Sequence, residues 1–323
     1  VSNEYNLEDL NNGRKVHDFM RWSKTAYIIS GLLLIASVII VSIKGFNLGL
    51  DFTGGLVAEV SFEQAADTDQ IRQVLAENGL DNAVVQHFGS VNKVLLRIPP
   101  IKNETKNNTI SEDLRHIIET KIGGKPVFDS LVLAGPSVGA ELAQSGALAL
   151  LSALIAILIY VGIRFEWRLA LGAVLSLAHD VIITIGILSL FQIKIDLTIV
   201  ASLMSVIGYS LNDSIVISDR IRENFRKLRI GSSYDIINLS ITQTLSRTLV
   251  TSGTTLMVVL MMFIFGGEIL KGFSSVMLIG VTLGTVSSIY VACALTLSMG
   301  VKREHMLQTK VEKEGADQEA LLP

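Results

Sequence analysis

A single cysteine, Cys293, excludes any disulfide within the chain, and its place in an apolar run leaves the redox compartment unreadable. Charge is scarce as well. Only 18% of the residues are Asp, Glu, Lys or Arg, below the roughly 25% of a soluble domain, while 50% are hydrophobic. No GxxxxGK[ST] pattern occurs, so there is no P-loop, and energy for any work must come from elsewhere. HExxH and Cys/His clusters are missing and the five histidines are scattered, so no metal and no cofactor is expected. Gly54-Gly55 and Gly123-Gly124 read as turn punctuation, since neither opens a helix in the manner of a phosphate-binding loop. What remains, with a mean hydropathy of +0.51, is a multispanning membrane protein.

Six apolar stretches stand out, at residues 26–43, 142–161, 169–191, 197–217, 249–265 and 273–299. Their lengths fit the ~17–25 residues that a helix needs to cross a bilayer, the last with room to tilt. The first follows a tail with Glu4, Glu8, Asp9 and Asp18 and no small-residue cleavage site comes after it, so it is expected to be an uncleaved anchor. Basic residues set the orientation. Arg14, Lys15, Arg21 and Lys24 precede the first stretch, Arg164 and Arg168 follow the second, and Arg220, Arg222, Arg226, Lys227 and Arg229 follow the fourth. The opposite short connections hold only Lys194 and Lys271. The expected plan is a cytoplasmic tail over 1–25, a first span over 26–43 and an outside domain over 44–140. Five spans within 141–300 and a cytoplasmic tail over 301–323 complete it.

Residues 44–140 read as a small α/β domain. Strand-like alternation at 56–62, 83–88, 93–98 and 126–133 is interleaved with helical spacing at 68–77 and 111–121, a tight turn falling at 89–92. Residues 99–109 are expected to be a polar loop, whose two glycosylation-like triplets are chance matches. The order βαββαβ is the split-βαβ, ferredoxin-like arrangement.

The chemistry gathers in residues 197–229. A carboxylate within a membrane helix costs about 2.5–3.5 kcal/mol on insertion scales and is a functional hypothesis by default. Asp213, with Asn212 beside it, interrupts the fourth span, and Ser202, Tyr209 and Asp213 share one helix face within about 40°. The fifth helix answers with Arg247, on a stripe with Gln243, Thr251 and Thr254. We therefore expect Asp213 and Arg247 to form one intramembrane charge site whose protonation drives work outside the membrane. The bland alternative is that both lie near the cytoplasmic end and merely reach water. His179 and Asp180, in the third span, read either as a structural pair or as part of a proton path. Asp219 and Arg220 belong to a solvated helix with i,i+3 and i,i+4 pairings. Gly280-x-x-x-Gly284 reads as helix packing.

Several segments together resemble the SecD/SecF family of protein-export membrane subunits, in its six-span branch. They are Gly49-Leu-Asp51-Phe-Thr-Gly54-Gly55, Gly135-Pro-Ser-Val-Gly139-Ala-Glu-Leu142, and Phe165-Glu-Trp-Arg168 with His179-Asp180. Gly208-Tyr-Ser-Leu-Asn-Asp-Ser-Ile215, Asp219-Arg220-Ile-Arg-Glu-Asn224, Ser246-Arg-Thr-Leu-Val-Thr-Ser252 and Lys302-Arg-Glu-His305 follow in order. The resemblance implies half of an RND-type, proton-driven unit of 12 helices, not an enzyme, completed by the six spans of SecD. It further implies that Asp213, in an NDS motif, and Arg247, in an SRT motif, take part in proton transport. The implied partners are SecD, the SecYEG channel with accessory small membrane subunits, and the translocating preprotein, with no nucleic acid. The implied place is the bacterial inner membrane, with 44–140 in the periplasm. Two rival functions are an RND exporter of small molecules, for which the outside domain leaves little room, and an intramembrane aspartyl protease using Asp180 and Asp213 as a proton-sharing pair. A structural scaffold is a third.

Overall fold

A computed structural model describes residues 7–88, 90–100, 104–122, 125–134, 136–228 and 230–306. The first long helix, α1 (Ser23–Lys44), is apolar nearly throughout and stops at Gly45, whose φ of +68° breaks the helix while its N–H still reaches the carbonyl of Val41. A short helical turn, Leu50–Thr53, follows. Gly54 and Gly55, at φ +76° and +139°, then redirect the chain into a strand, a path that side-chain-bearing residues rarely take.

That strand is β1 (Gly55–Ser61), followed by α2 (Thr68–Glu77), β2 (Val84–Phe88), β3 (Ser90–Ile98), α3 (Glu104–Lys121) and β4 (Val127–Ala134). The sheet order is β2-β3-β1-β4 with every neighbouring pair antiparallel, the ferredoxin-like order anticipated from βαββαβ. Alternation puts Leu56, Ala58 and Val60 of β1 and Val94, Leu96 and Ile98 of β3 on one face. There they meet Ile71 and Leu75 of α2 and Ile110, Leu114 and Ile118 of α3, each set spaced by four residues. Asp67 caps α2 by accepting from the amides of Asp69 and Gln70.

Two expectations differ in extent. β3 begins at Ser90 rather than 93, absorbing most of the expected turn. α3 begins at Glu104, absorbing part of the expected polar loop. Its first six residues, ETKNNT, are all polar, so apolar spacing could not mark them.

Five further long helices follow: α4 (Pro136–Arg164), α5 (Trp167–Leu190), α6 (Leu197–Lys227), α7 (Ser233–Phe265) and α8 (Gly267–Ser287). A π-helical turn, Ser288–Ala292, joins α8 to a last short helix, α9 (Cys293–Ser298). The described residues contain six helices long and apolar enough to cross a membrane, as the sequence pattern led us to expect. α5 and the α8–α9 unit bury most of their length, α6 is intermediate, and α1, α4 and α7 are largely open. α6 runs unbroken past the apolar span to Lys227, because Ile217, Ile221 and Phe225 continue its buried face against Ile237 and Ile241 of α7.

Truncating Leu114, which is fully buried between α3 and the sheet, tests the independence of the α/β domain. Leu114→Ala should cost about 2–5 kcal/mol. In limited proteolysis of the full chain, cleavage within residues 55–134 should accelerate while the six long helices keep their resistance.

Candidate functional site

α6 buries Ser202, Ser210, Asp213 and Ser214 among the apolar residues of its packed face, and two buried carboxylates, Asp180 and Asp213, lie at this seam. Asp180 of α5 is 1% exposed. Its Oδ1 lies 2.9 Å from Nδ1 of His179, while its Oδ2 accepts from the hydroxyls of Ser210 in α6 at 3.0 Å and Ser287 in α8 at 2.6 Å. One carboxylate thus ties three helices. The approach demands glycine: a Cβ on Gly284 would lie 2.9 Å from Cβ of Ser210, and one on Gly280 would lie 2.3 Å from Cγ2 of Val206. The GxxxG reading as a packing surface is borne out against α6. The π-helical turn begins directly after Ser287, and such turns recur at functional sites.

Asp213 is the contrasting case. It is 3% exposed, yet its Oδ2 has no hydrogen-bond partner among the described residues, and the nearby hydroxyls Ser214 Oγ and Thr248 Oγ1 are buried without partners too. Ser252 of α7 is the hydroxyl that bears on the Asp213 carboxylate, and Arg247 acts on it electrostatically. Ser252 Oγ also receives the phenolic O–H of Tyr209 at 3.1 Å and the hydroxyl of Thr285 at 2.8 Å, so a small polar cluster spans α6, α7 and α8. With α6 continuing 14 residues beyond it, Asp213 sits inside the helix assembly rather than at a fraying end.

The structure redraws the rest of the expected polar path. Arg247 makes no ion pair with Asp213 within 4 Å; it is exposed and lines an open groove of about 410 Å³ with Gln243, Asp219, Arg220 and Glu223. Thr251 and Thr254 donate to carbonyls of their own helix, those of Arg247 and Val250, at 2.9 Å each. The amide of Gln243 is taken up by Asn224 at 3.0 Å and Asn11 at 3.4 Å. Ser202 is buried but bonds back to the carbonyl of Ile199, and Asn212 faces outward. The stripe that packs inward on α7 is Thr244, Thr248 and Ser252, one residue and hence about 100° from the one expected. Ser210, Ser252, Thr285 and Ser287 were therefore missed. A usable signal existed for one of them, since Ser287 falls on the same face as Gly280 and Gly284. Asp219 and Arg220 form the anticipated i,i+3 pairs, with Arg222 at 2.9 Å and Glu223 at 2.8 Å.

Residues 118–302 match the model for the C-terminal part of the SecD/SecF protein export membrane proteins, and residues 39–66 match the SecD/SecF GG motif. The chain belongs to the SecD/SecF family. It is 60% identical over 323 residues to a protein translocase subunit SecF of Escherichia coli O157:H7, covering 100% of both chains. It is 51% identical over 303 residues to a protein translocase subunit SecF of Vibrio alginolyticus, covering 94% of this chain and 96% of that one. A crystal structure of SecDF from Thermus, described as a translocon-associated membrane protein, superposes with a TM-score of 0.70 at 34% identity over 91% of this chain. A SecDF crystal structure in a super-membrane-facing form gives the same TM-score and identity over 88%. The chain spans 41% and 39% of those two longer chains.

The family's GG-motif segment has a clear mechanical setting. Gly49 N–H bonds to the carbonyl of Ile195 at 2.7 Å, Ile195 N–H to Asn47 at 2.8 Å, and the carboxylate of Asp51 accepts from the amide of Leu197, the first residue of α6, at 2.9 Å. A Cβ on Gly139 of α4 would meet the Phe52 carbonyl oxygen at 2.2 Å. The linker is thus locked between α4 and the start of α6, and β1 follows directly. Gly135 lies outside the described residues.

Close packing at Gly280 supplies a paired test. Gly280→Ala should destabilise the helix assembly by about 1–3 kcal/mol through overpacking, and Val206→Ala, which removes the clashing methyls, should restore thermal stability in detergent when the two are combined. An equal loss in the single and double variants would mean that this contact does not set the α6–α8 spacing.

Proposed function

We propose that the chain is the six-span subunit of the Sec protein-export machinery, completed by SecD, and that it uses the proton gradient to promote preprotein movement through the SecYEG channel. Both termini are cytoplasmic on this reading, and residues 44–140 form the periplasmic domain between spans one and two. The names of the relatives support the export role, and the observation that carries the proton role is the contrast between the two buried carboxylates. Asp180 has every oxygen engaged, so it acts as a structural keystone. Asp213 has an unpartnered oxygen beside a cluster of hydroxyls, which leaves it chemically unfinished until a proton or a rearranged donor completes it. Burying a polar group without a partner costs about 1–3 kcal/mol. A proton falling through 100 mV supplies about 2.3 kcal/mol, so gain and loss of one proton is of the size needed to shift the local packing.

The shift has a route outward. Asp213 and Leu197 share α6, the amide of Leu197 is held by Asp51, and Asp51 stands four residues before β1. A tilt of α6 therefore pulls on the linker that feeds the domain. The same contrast counts against an aspartyl protease, because a carboxylate already holding two hydroxyl donors and a histidine has no oxygen free to activate water.

Asp213→Asn, reconstituted with SecD and the channel, should abolish proton-dependent stimulation of export while copurification with SecD is unchanged. Stimulation at the wild-type level would refute the role. Asp180→Ala should do the opposite first. It should lower stability by about 3–5 kcal/mol, as when one partner of a buried pair is removed, and reduce recovery of the complex.

A further inference from the structure

Between the open face of the sheet, the connection from α5 to α6 and the starts of α6 and α8 lies a cleft of about 650 Å³, within the size range of ligand pockets. Its roof includes Gln86 of β2 and Arg97 of β3, and its floor includes Lys194, Asp196 and Lys271. Lys194 and Lys271 are the two basic residues that stand against the charge bias of the short connections on this side, and both line the same cleft. Arg97 stands opposite Val57 and Val84 in the ladder, on the face away from the two helices. Its Nε is buried without a hydrogen-bond partner, and no salt bridge among the described residues uses Arg97 or Lys194. Asp196 is committed to α6, its Oδ1 capping the amide of Ile199 at 2.9 Å.

We propose that this cleft binds a phosphate-bearing anion, with Arg97 and Lys194 as its principal ligands and Lys271 adding charge. A guanidinium with an unused donor wants a planar or tetrahedral oxyanion. Arg97 and Lys194, against one carboxylate already committed to a helix amide, make the cleft net positive. The floor consists of membrane-helix ends, the depth at which phospholipid headgroups lie, so an anionic headgroup reaching in sideways is the source the location favours. Soluble phosphate shares the chemistry. The inference is independent of the proton role of Asp213.

The full chain, delipidated in detergent, would be titrated with phosphatidylglycerol, phosphatidylcholine and inorganic phosphate, and individual binding events counted by native mass spectrometry. Phosphatidylglycerol should occupy one site in preference to phosphatidylcholine. The double variant Arg97→Gln/Lys194→Gln should bind about tenfold more weakly through loss of two charge-assisted contacts, with Arg97→Lys intermediate. Saturation by inorganic phosphate, lost in the same double variant, would assign the soluble source and still uphold the site. As a control for net charge, Arg72→Gln/Lys125→Gln removes two cations of the same domain that do not line the cleft. Equal weakening in that control, or undiminished binding in the cleft variant with an unchanged melting temperature, would overturn the proposal. Lys194→Gln alone, in an exposed connection, keeps the test decisive if changes at Arg97 disturb the sheet.

Discussion

The Asp180 carboxylate receives hydroxyl protons from α6 and α8 while leaning on His179 in its own helix, and the spacing of three membrane helices follows from that arrangement. A carboxyl group in this setting is tolerable only because each oxygen has a partner. The partners are short serine hydroxyls, so the helices must come close, and closeness is possible only because Gly280 and Gly284 present no side chain toward Val206 and Ser210. Asp213 lies three residues beyond Ser210, less than one turn along α6. Its position is therefore fixed by the Asp180 tie, although its Oδ2 has no partner among the described residues. One carboxylate sets the frame, and the other is held unfinished within it.

The frame extends beyond the helices through α6. Its first amide is bonded by Asp51 and its third by Asp196. Asp51 belongs to the segment clamped by Gly49 against Ile195 and by Phe52 against Gly139. That segment leads into β1, which is central in the sheet, flanked by β3 and β4. Displacement at the start of α6 thus reaches the middle of the domain rather than an edge strand, and a central strand carries its neighbours with it. Glycines at 54 and 55 permit the change of direction from the Leu50–Thr53 turn into β1.

Much of this was legible in the residues. Long apolar stretches mark the helices, because hydrocarbon leaves few alternatives. Alternation at 56–62 and helical spacing at 71, 74 and 75 suffice for the βαββαβ order. Asp213 could be singled out because a carboxylate in an apolar run is costly wherever it points. What could not be read was which face of α7 turns inward. Helical angle relates Gln243, Arg247, Thr251 and Thr254 to one another but not to α6, and the inward face proved to be Thr244, Thr248 and Ser252, about 100° away. A serine that bonds its own helix, as Ser202 does, is indistinguishable in sequence from one that crosses to another, as Ser210 does. The division of labour between Asp180 and Asp213 depends on such crossings, so it appears only in three dimensions.

The outward position of Arg247 changes how charge can work here. On the proposed reading, six further spans cover this side of the chain, as the two-fifths share of the SecDF structures suggests. A guanidinium facing lipid would otherwise cost about 2.5–3.5 kcal/mol on insertion scales. A tight Asp213–Arg247 contact would cost about 3–5 kcal/mol to break, more than the ~2.3 kcal/mol that one proton supplies at 100 mV. Separated beyond 4 Å, the two charges attract by less than about 4 kcal/mol at an effective dielectric constant near 20. On the proposed reading, protonating Asp213 removes an attraction that falls to about 2.3 kcal/mol, the work of one proton at 100 mV, once the two charges stand about 7 Å apart. On that reading the gap between acid and base, rather than their contact, keeps the site reversible under the available driving force.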